Sequence, residues 1–366
     1  MDTFSARNVF YFGEAGSLLH SKSLFCHAGI IDMPSMRPLI GIALGSGMSR
    51  GWAHIGVLNR LEAAGLKPDI VCGTSVGALI GGAYLANRMQ EFEAWACTLT
   101  RAGVARLFDF KVGVGGLITG RRITHKLHPD LHRLMIEKLD RPYVAVATDL
   151  ASGHEVWMRD GRLIDAMRAS YAVPALFAPV RRSGRWLIDG ALVNPVPVSV
   201  CRALGARLTI AVNLNADSIE EMALSELCPH MDSDEAGEDE TSDWRSAGTG
   251  IIRSFLRRRQ MRPSMLTVLS RTLSLSQDRI ARSRLAGDPP EIMISPKLSN
   301  FGMFEFHRAA ESIEAGAAAA DKAIPEIRAL LQTYSFNRSS MESDAINGTA
   351  PGAEVAARTL NSELAA

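Results

Sequence analysis

Residues 69–87 read DIVCGTSVGALIGGAYLAN. Asp69 to Cys72 suits a short buried strand, and Val76 to Asn87 suits a helix. The pentapeptide Gly73-Thr74-Ser75-Val76-Gly77 stands at the junction. Ile70 to Ala86 carries no charge and reaches the lower length limit of a membrane-spanning helix. However, Gly73, Gly77, Gly81 and Gly82 interrupt it and its start is strand-like, which favours a buried strand followed by a buried helix.

The same grammar holds on the N-terminal side. Leu39 to Leu44 is an apolar run ending in glycines, as a buried parallel strand requires. Gly45 to Gly51 forms a loop. Trp52 to Ala64 is expected as a helix through the spacing of Ile55, Leu58 and Leu61, with Gly65 as its C-cap. Strand, loop, helix, strand, turn, helix predicts an α/β domain with a mostly parallel sheet and helices on its faces.

On the C-terminal side, strands are expected over Tyr143–Thr148, His154–Met158, Trp186–Ile188, Arg207–Asn213 and Glu291–Ser295. Helices are expected over Leu163–Tyr171, Val196–Leu204, Met265–Leu285 and Phe306–Leu331. The domain is placed at 38–334. Residues 1–37 read as an irregular arm, although Met33 and Met36 also leave a later start open. An insertion is expected at about 217–264. Its first part is acidic, from Asp232 to Asp243, and reads as solvated. Its second part, Trp244 to Arg262, sets Ile251, Ile252, Phe255 and Leu256 beside Arg253, Arg257, Arg258, Arg259 and Arg262. That mixture suits either an anionic lipid surface or a surface helix with solvated arginines. From 335 to 366 no hydrophobic period remains, and a disordered tail is expected.

Composition narrows the function classes. A net charge of +1 gives no whole-chain reason to expect nucleic acid or an acidic polymer as partner. The five cysteines are odd in number and form no C-x-x-C pair, so neither a zinc site nor a disulfide framework is expected. No basic start leads into an apolar run, so a secretory signal is not read. The expected location is cytoplasmic, with peripheral membrane contact through Trp244 to Arg262.

Three motifs carry chemistry. In Gly73-Thr74-Ser75-Val76-Gly77, a serine on a sharp strand-to-helix turn holds its hydroxyl out above the sheet edge, and the glycines relieve crowding. The helix that follows favours developing negative charge. In Gly45-Ser46-Gly47-Met48-Ser49-Arg50-Gly51, backbone amides can converge on an anion. Gly47 and Met48 are the expected donors, and Arg50 either holds the loop or attracts a phosphate. Asp189-Gly190-Ala191 ends a short strand. Its carboxylate can serve as a base only if a dry site raises its pKa from the reference of about 3.9.

Taken in this order, the three motifs resemble the patatin-like phospholipase family, especially its bacterial branch. The resemblance continues through Ala53-His54-Ile55-Gly56-Val57-Leu58, Ala147-Thr148-Asp149-Leu150 and Ala169-Ser170-Tyr171-Ala172-Val173-Pro174. It covers roughly residues 38–215, with a weaker echo at 290–330. It implies a three-layer α/β/α fold and a serine-dependent acyl hydrolase acting on phospholipids or other acyl esters. It also implies a Ser-Asp dyad of Ser75 and Asp189, needing no metal or cofactor. Gly45 to Gly51 corresponds to the family's oxyanion segment, but Ser46 stands where a second glycine is usual and is expected to narrow the loop.

Other readings stay open. Ser75, Asp189 and His307 stand in the chain order of a Ser-His-Asp esterase. His230 lies in the acidic insertion, and His54 reads as helix packing. A non-catalytic lipid-binding protein of the same fold is a further possibility. Gly45, Gly47 and Gly51 approach a dinucleotide fingerprint, although no acid ends the second strand.

Overall fold

The computed structural model describes residues 37–107, 131, 133–216 and 265–346. Cys26, Cys228, His230, the N-terminal arm and the insertion with its Trp244–Arg262 stretch lie outside the described residues.

Among the described residues eight strands form one sheet: β1 (Ile40–Leu44), β2 (Ile70–Thr74), β3 (Tyr143–Asp149), β4 (Glu155–Met158), β5 (Val180–Arg182), β6 (Arg185–Asp189), β7 (Leu208–Val212) and β8 (Ile292–Ile294). Hydrogen bonding follows the path β5-β6-β3-β2-β1-β7-β8, with β4 also on β3. The run β3-β2-β1-β7-β8 is parallel, while β4, β5 and β6 pair antiparallel. The helices are α1 (Ala53–Ala63), α2 (Val76–Leu85), α3 (Met89–Cys97), α4 (Arg101–Leu107), α5 (Leu163–Ser170), α6 (Val198–Ala203), α7 (Met265–Gly287) and α8 (Ala309–Ile346).

Side chains of a strand alternate between faces, and the core divides accordingly. Ile40, Ile42 and Leu44 of β1 join Leu208, Ile210 and Val212 of β7 in a large cluster that takes in α1, α2, α5 and α8. Ala43, Cys72, Val144, Val146 and Ala211 face the other way, against Val200 and Cys201 of α6 and Ala281 of α7. Helices on both faces make this a three-layer α/β/α fold. No described helix is long and apolar enough to cross a membrane, and the uncharged stretch at 70–86 is divided between buried β2 and buried α2.

Gly65 ends α1 as expected. Its φ is +78°, and the amides of Gly65 and Leu66 donate to the carbonyls of Glu62 (3.0 Å) and Leu61 (2.8 Å). This is the bond pair of a Schellman cap. The final helix departs from expectation by running past Leu331 to Ile346, into the stretch read as tail. Extending an existing helix adds one bond per residue fixed, so it needs no apolar period of its own.

Where α1 crosses α8, a Cβ on Gly56 would stand 1.9 Å from the Ile313 carbonyl oxygen, and one on Gly316 would stand 2.0 Å from that of Ala53. The two backbones are therefore in direct contact. Gly56→Ala is expected to force the helices apart and cost about 3 kcal/mol, a drop of roughly 6–12 °C in melting temperature. Gly287→Ala, with nothing within 4 Å of its added Cβ, is the control expected to show no loss.

Candidate active site

Ser75 sits between β2 and α2 with φ 57° and ψ −122°, a conformation that L-residues avoid. Several contacts hold it there. Gly77 lets the turn close, since a Cβ there would lie 2.1 Å from the Leu44 carbonyl oxygen. The Ser75 amide donates to Ser170 Oγ (2.9 Å), and Ser170 in turn donates to the Val146 carbonyl of β3 (2.5 Å). The neighbouring Thr74 hydroxyl donates to the Asn194 carbonyl (2.8 Å).

The register of the sheet brings Asp189 to this point. Ala147 and Thr148 of β3 pair with both β4 and β6. A strand has only two edges, so β6 lies on the edge opposite β4. Ala145 and Val146 likewise pair with both β4 and β2. Hence β2 and β6 share one edge of β3 in succession. Thr74 pairs with Val146, and Asp189 pairs with the next residue, Ala147. The chain of β2 turns away at Ser75 just where Asp189 arrives. Gly190 makes the approach possible, because a Cβ there would meet the Val146 carbonyl oxygen at 2.2 Å.

Ser75 Oγ donates to Asp189 Oδ2 at 2.6 Å, across 114 residues of sequence. The other carboxylate oxygen accepts from the Ala191 amide (2.7 Å). The Asp189 backbone is fixed as well, its amide bonding to the Ala172 carbonyl (2.9 Å) and its carbonyl accepting from Thr148 Oγ1 (2.8 Å). Burial raises the Asp189 pKa to about 7, against the lowering effect of the bonds from Ser75 and Ala191. Among the described residues no imidazole is hydrogen-bonded to Ser75 or Asp189. His307 is half-buried, and its Nε2 accepts from Arg101 Nε (3.2 Å) instead.

The glycine-rich loop is built into the frame at most of its positions. The amides of Gly45 and Ser46 donate to the carbonyls of Val212 (3.0 Å) and Pro195 (2.9 Å), and those of Ser49 and Arg50 to Met303 (3.3 Å) and Gly47 (3.2 Å). Among the described residues no backbone acceptor faces the amides of Gly47 and Met48. Met48 is held at φ 53° and lines the cleft. With four amides committed, the loop is a poor cradle for a dinucleotide.

Ser46 does not narrow the loop toward the cleft; it is buried and its hydroxyl donates to Gln277 Oε1 of α7 (3.2 Å). Arg50 holds the loop and presents no surface charge. It is only 2% exposed, and it donates to the Phe301 carbonyl (3.2 Å) and Asn215 Oδ1 (2.9 Å). Gly51 allows the turn to pack on α2, since a Cβ there would stand 2.0 Å from Val76 Cγ2. His54 does more than pack. Its Nε2 lies 2.8 Å from the Gly45 carbonyl oxygen and donates to it, and burial lowers its pKa to about 4, so the ring is neutral.

Beside Ser75 opens an apolar cleft of about 690 Å³, its open mouth included. Val76 and Leu79 of α2 form its floor, and Trp95, Leu99 and Val104 come from α3, α4 and the turn between them. Tyr171, Phe177 and Phe306 close the rest. Trp52 binds this wall together, with its Nε1 on the Phe306 carbonyl (3.1 Å) and ring contacts to Phe92, Trp95 and Phe306. The wall from α3 and α4 was not anticipated. Its signal was the helical spacing of Met89, Phe92, Ala96 and Leu99. Among the described residues no cluster of three or more His, Cys, Asp or Glu could hold a metal ion.

Fold and site together define a class: three-layer α/β/α proteins with a serine on a strand-to-helix elbow, beside an apolar cleft. The sequence model for "Patatin-like phospholipase" matches residues 42–202. An uncharacterized NTE family protein of Mycobacterium tuberculosis is 33% identical over 332 residues, covering 79% of this chain and 92% of the relative. A second, from Mycobacterium bovis, is 27% identical and covers 78% of this chain and 46% of its own length. Patatin-like phospholipase domain-containing protein 6 of Homo sapiens is 31% identical over 191 residues, half of this chain and 14% of that protein. The chain belongs to the patatin-like phospholipase family, a family of lipid hydrolases.

The raised pKa of Asp189 has a consequence for stability. A carboxyl with a folded pKa of about 7 and an unfolded value of about 3.9 favours the fold fully below pH 4 and loses that contribution as pH rises through 7. The loss levels off at about 4 kcal/mol. Asp189→Asn keeps the shape and removes the charge. Its melting temperature is expected to match wild type near pH 4 and exceed it increasingly up to pH 8. A difference that does not change with pH would refute the raised pKa.

Proposed function

We propose that the protein hydrolyses fatty acyl esters, phospholipids among them, through a Ser75–Asp189 dyad. The 2.6 Å bond between Ser75 Oγ and a buried carboxylate titrating near 7 carries this reading. A base works best when its pKa lies near the operating pH, and here no third residue is needed to reach the hydroxyl.

In the first step Asp189 takes the Ser75 proton as Oγ attacks the ester carbonyl carbon. The carbonyl oxygen gains negative charge, which the amides of Gly47 and Met48 receive together with the positive end of α2. Asp189 passes that proton to the leaving oxygen, the alcohol or lysolipid departs, and an acyl-Ser75 remains. In the second step Asp189 accepts a proton from water as it attacks the acyl carbon, and returns it to Ser75 Oγ as the fatty acid departs. The apolar cleft suits the acyl chain, since each buried methylene contributes about 0.8 kcal/mol.

Phospholipids, lysophospholipids and p-nitrophenyl esters assayed with wild type, Ser75→Ala and Asp189→Asn test the reading. Either substitution is expected to lower kcat by about a thousandfold or more. Wild-type kcat/KM should rise about tenfold per pH unit and level off above about 7, whereas His307→Ala should leave the profile in place. Hydrolysis that survives Ser75→Ala would refute the proposal.

A further inference from the structure

The hairpin of β5 and β6 stands beside the nucleophile. β6 continues the edge of β3 that β2 leaves at Ser75, and its pairing with β3 runs out at Asp149 and Leu187. Arg182 and Arg185 pair two residues further along, so the hairpin tip overhangs the end of the sheet at which Ser75 lies. The chain enters β5 from Phe177, which lines the cleft, through exposed Ala178 and half-buried Pro179.

This tip is both apolar and basic. Trp186 is 50% exposed, and Leu150, whose amide donates to the Trp186 carbonyl (2.8 Å), is 53% exposed. Residues 175–188 hold three arginines and no acid. Arg182 is paired with Asp160. Arg185 approaches Asp149 only to 3.7 Å, and its side chain is 62% exposed. Arg181 has no carboxylate partner among the described residues and lies over the Trp186 ring, 5.8 Å from its centroid. Single exposed apolar residues need no explanation. A tryptophan and a leucine side by side among arginines match the surface of an anionic bilayer, where an indole settles at headgroup depth and guanidinium groups bind phosphate. Two copies joined symmetrically through this patch would instead set arginines against arginines.

We propose that the β5–β6 hairpin docks the protein on an anionic lipid surface, with Trp186 and Leu150 entering the headgroup region and Arg181 and Arg185 on lipid phosphates. Docking there holds the cleft beside Ser75 at the bilayer, a use that rests on the acyl hydrolase reading above. The binding itself needs no hydrolysis, so it stands or falls separately.

The test is cosedimentation with vesicles of hydrolysis-resistant diether phosphatidylcholine, alone or mixed with diether phosphatidylglycerol. Wild type is expected to bind the mixed vesicles more tightly and to be released as salt is raised. Arg181→Gln combined with Arg185→Gln should weaken that binding about thirtyfold, at about 1 kcal/mol for each arginine. Trp186→Ser should weaken it about tenfold. Melting temperatures and hydrolysis of soluble p-nitrophenyl butyrate should stay at wild-type values in both variants. Equal binding by wild type and both variants, or no wild-type binding to either vesicle, overturns the proposal. So does a wild-type dimer that Trp186→Ser dissolves, which would assign the patch to a second copy. A fall of several degrees in the melting temperature of both variants would make these side chains structural and overturn it as well.

Discussion

One edge of β3 serves two strands in turn, and the site depends on that succession. β2 occupies the edge as far as Val146, and β6 takes over at Ala147 from the opposite direction. The last residue of β2 and the last residue of β6 are therefore neighbours along a single backbone. A hydroxyl just past one strand and a carboxylate at the end of the other meet without any flexible reach. Ser170 strengthens the junction by bonding both the Ser75 amide and the Val146 carbonyl. Side chains at 77 or 190 would collide with main-chain oxygens, so glycine at both positions follows from how closely the backbones approach.

The electrostatics follow from the same packing. Asp189 is only 1% exposed, and burial outweighs its two hydrogen bonds in setting the pKa. The feature that makes the carboxylate a usable base near neutrality is thus one that weakens the fold at alkaline pH. The glycine-rich loop is treated oppositely. It is fastened at Gly45, Ser46, Ser49 and Arg50, and by neutral His54 beneath it, so the amides left over are held in place rather than free to reorganise. Preorganised donors of this kind are what charge stabilisation requires.

Much of this was legible in the amino acids. Buried parallel strands demand apolar runs, and those at 40–44, 70–74 and 208–212 were readable to within two residues. Ser75 and Asp189 were readable as motifs, but their meeting followed only from the family resemblance, because a register between β3 and β6 leaves no local trace. Arg50 and His54 were ambiguous for a related reason: a lone polar residue in an apolar context does not name its partner, and theirs are main-chain carbonyls and Asn215. Ser170 was hidden in an apolar helix. The cleft wall from α3 and α4 was missed although its helical period is present, since a wall has no motif.

The most direct test of the Ser75–Asp189 pairing is the pH dependence of covalent labelling by a fluorophosphonate, which reads nucleophilicity without regard to lipid preference. The account predicts one equivalent of label on Ser75, at a rate that rises through an apparent pKa of about 7 and collapses in Asp189→Asn. Labelling that proceeds at the wild-type rate in Asp189→Asn, or that vanishes in His307→Ala, would contradict it.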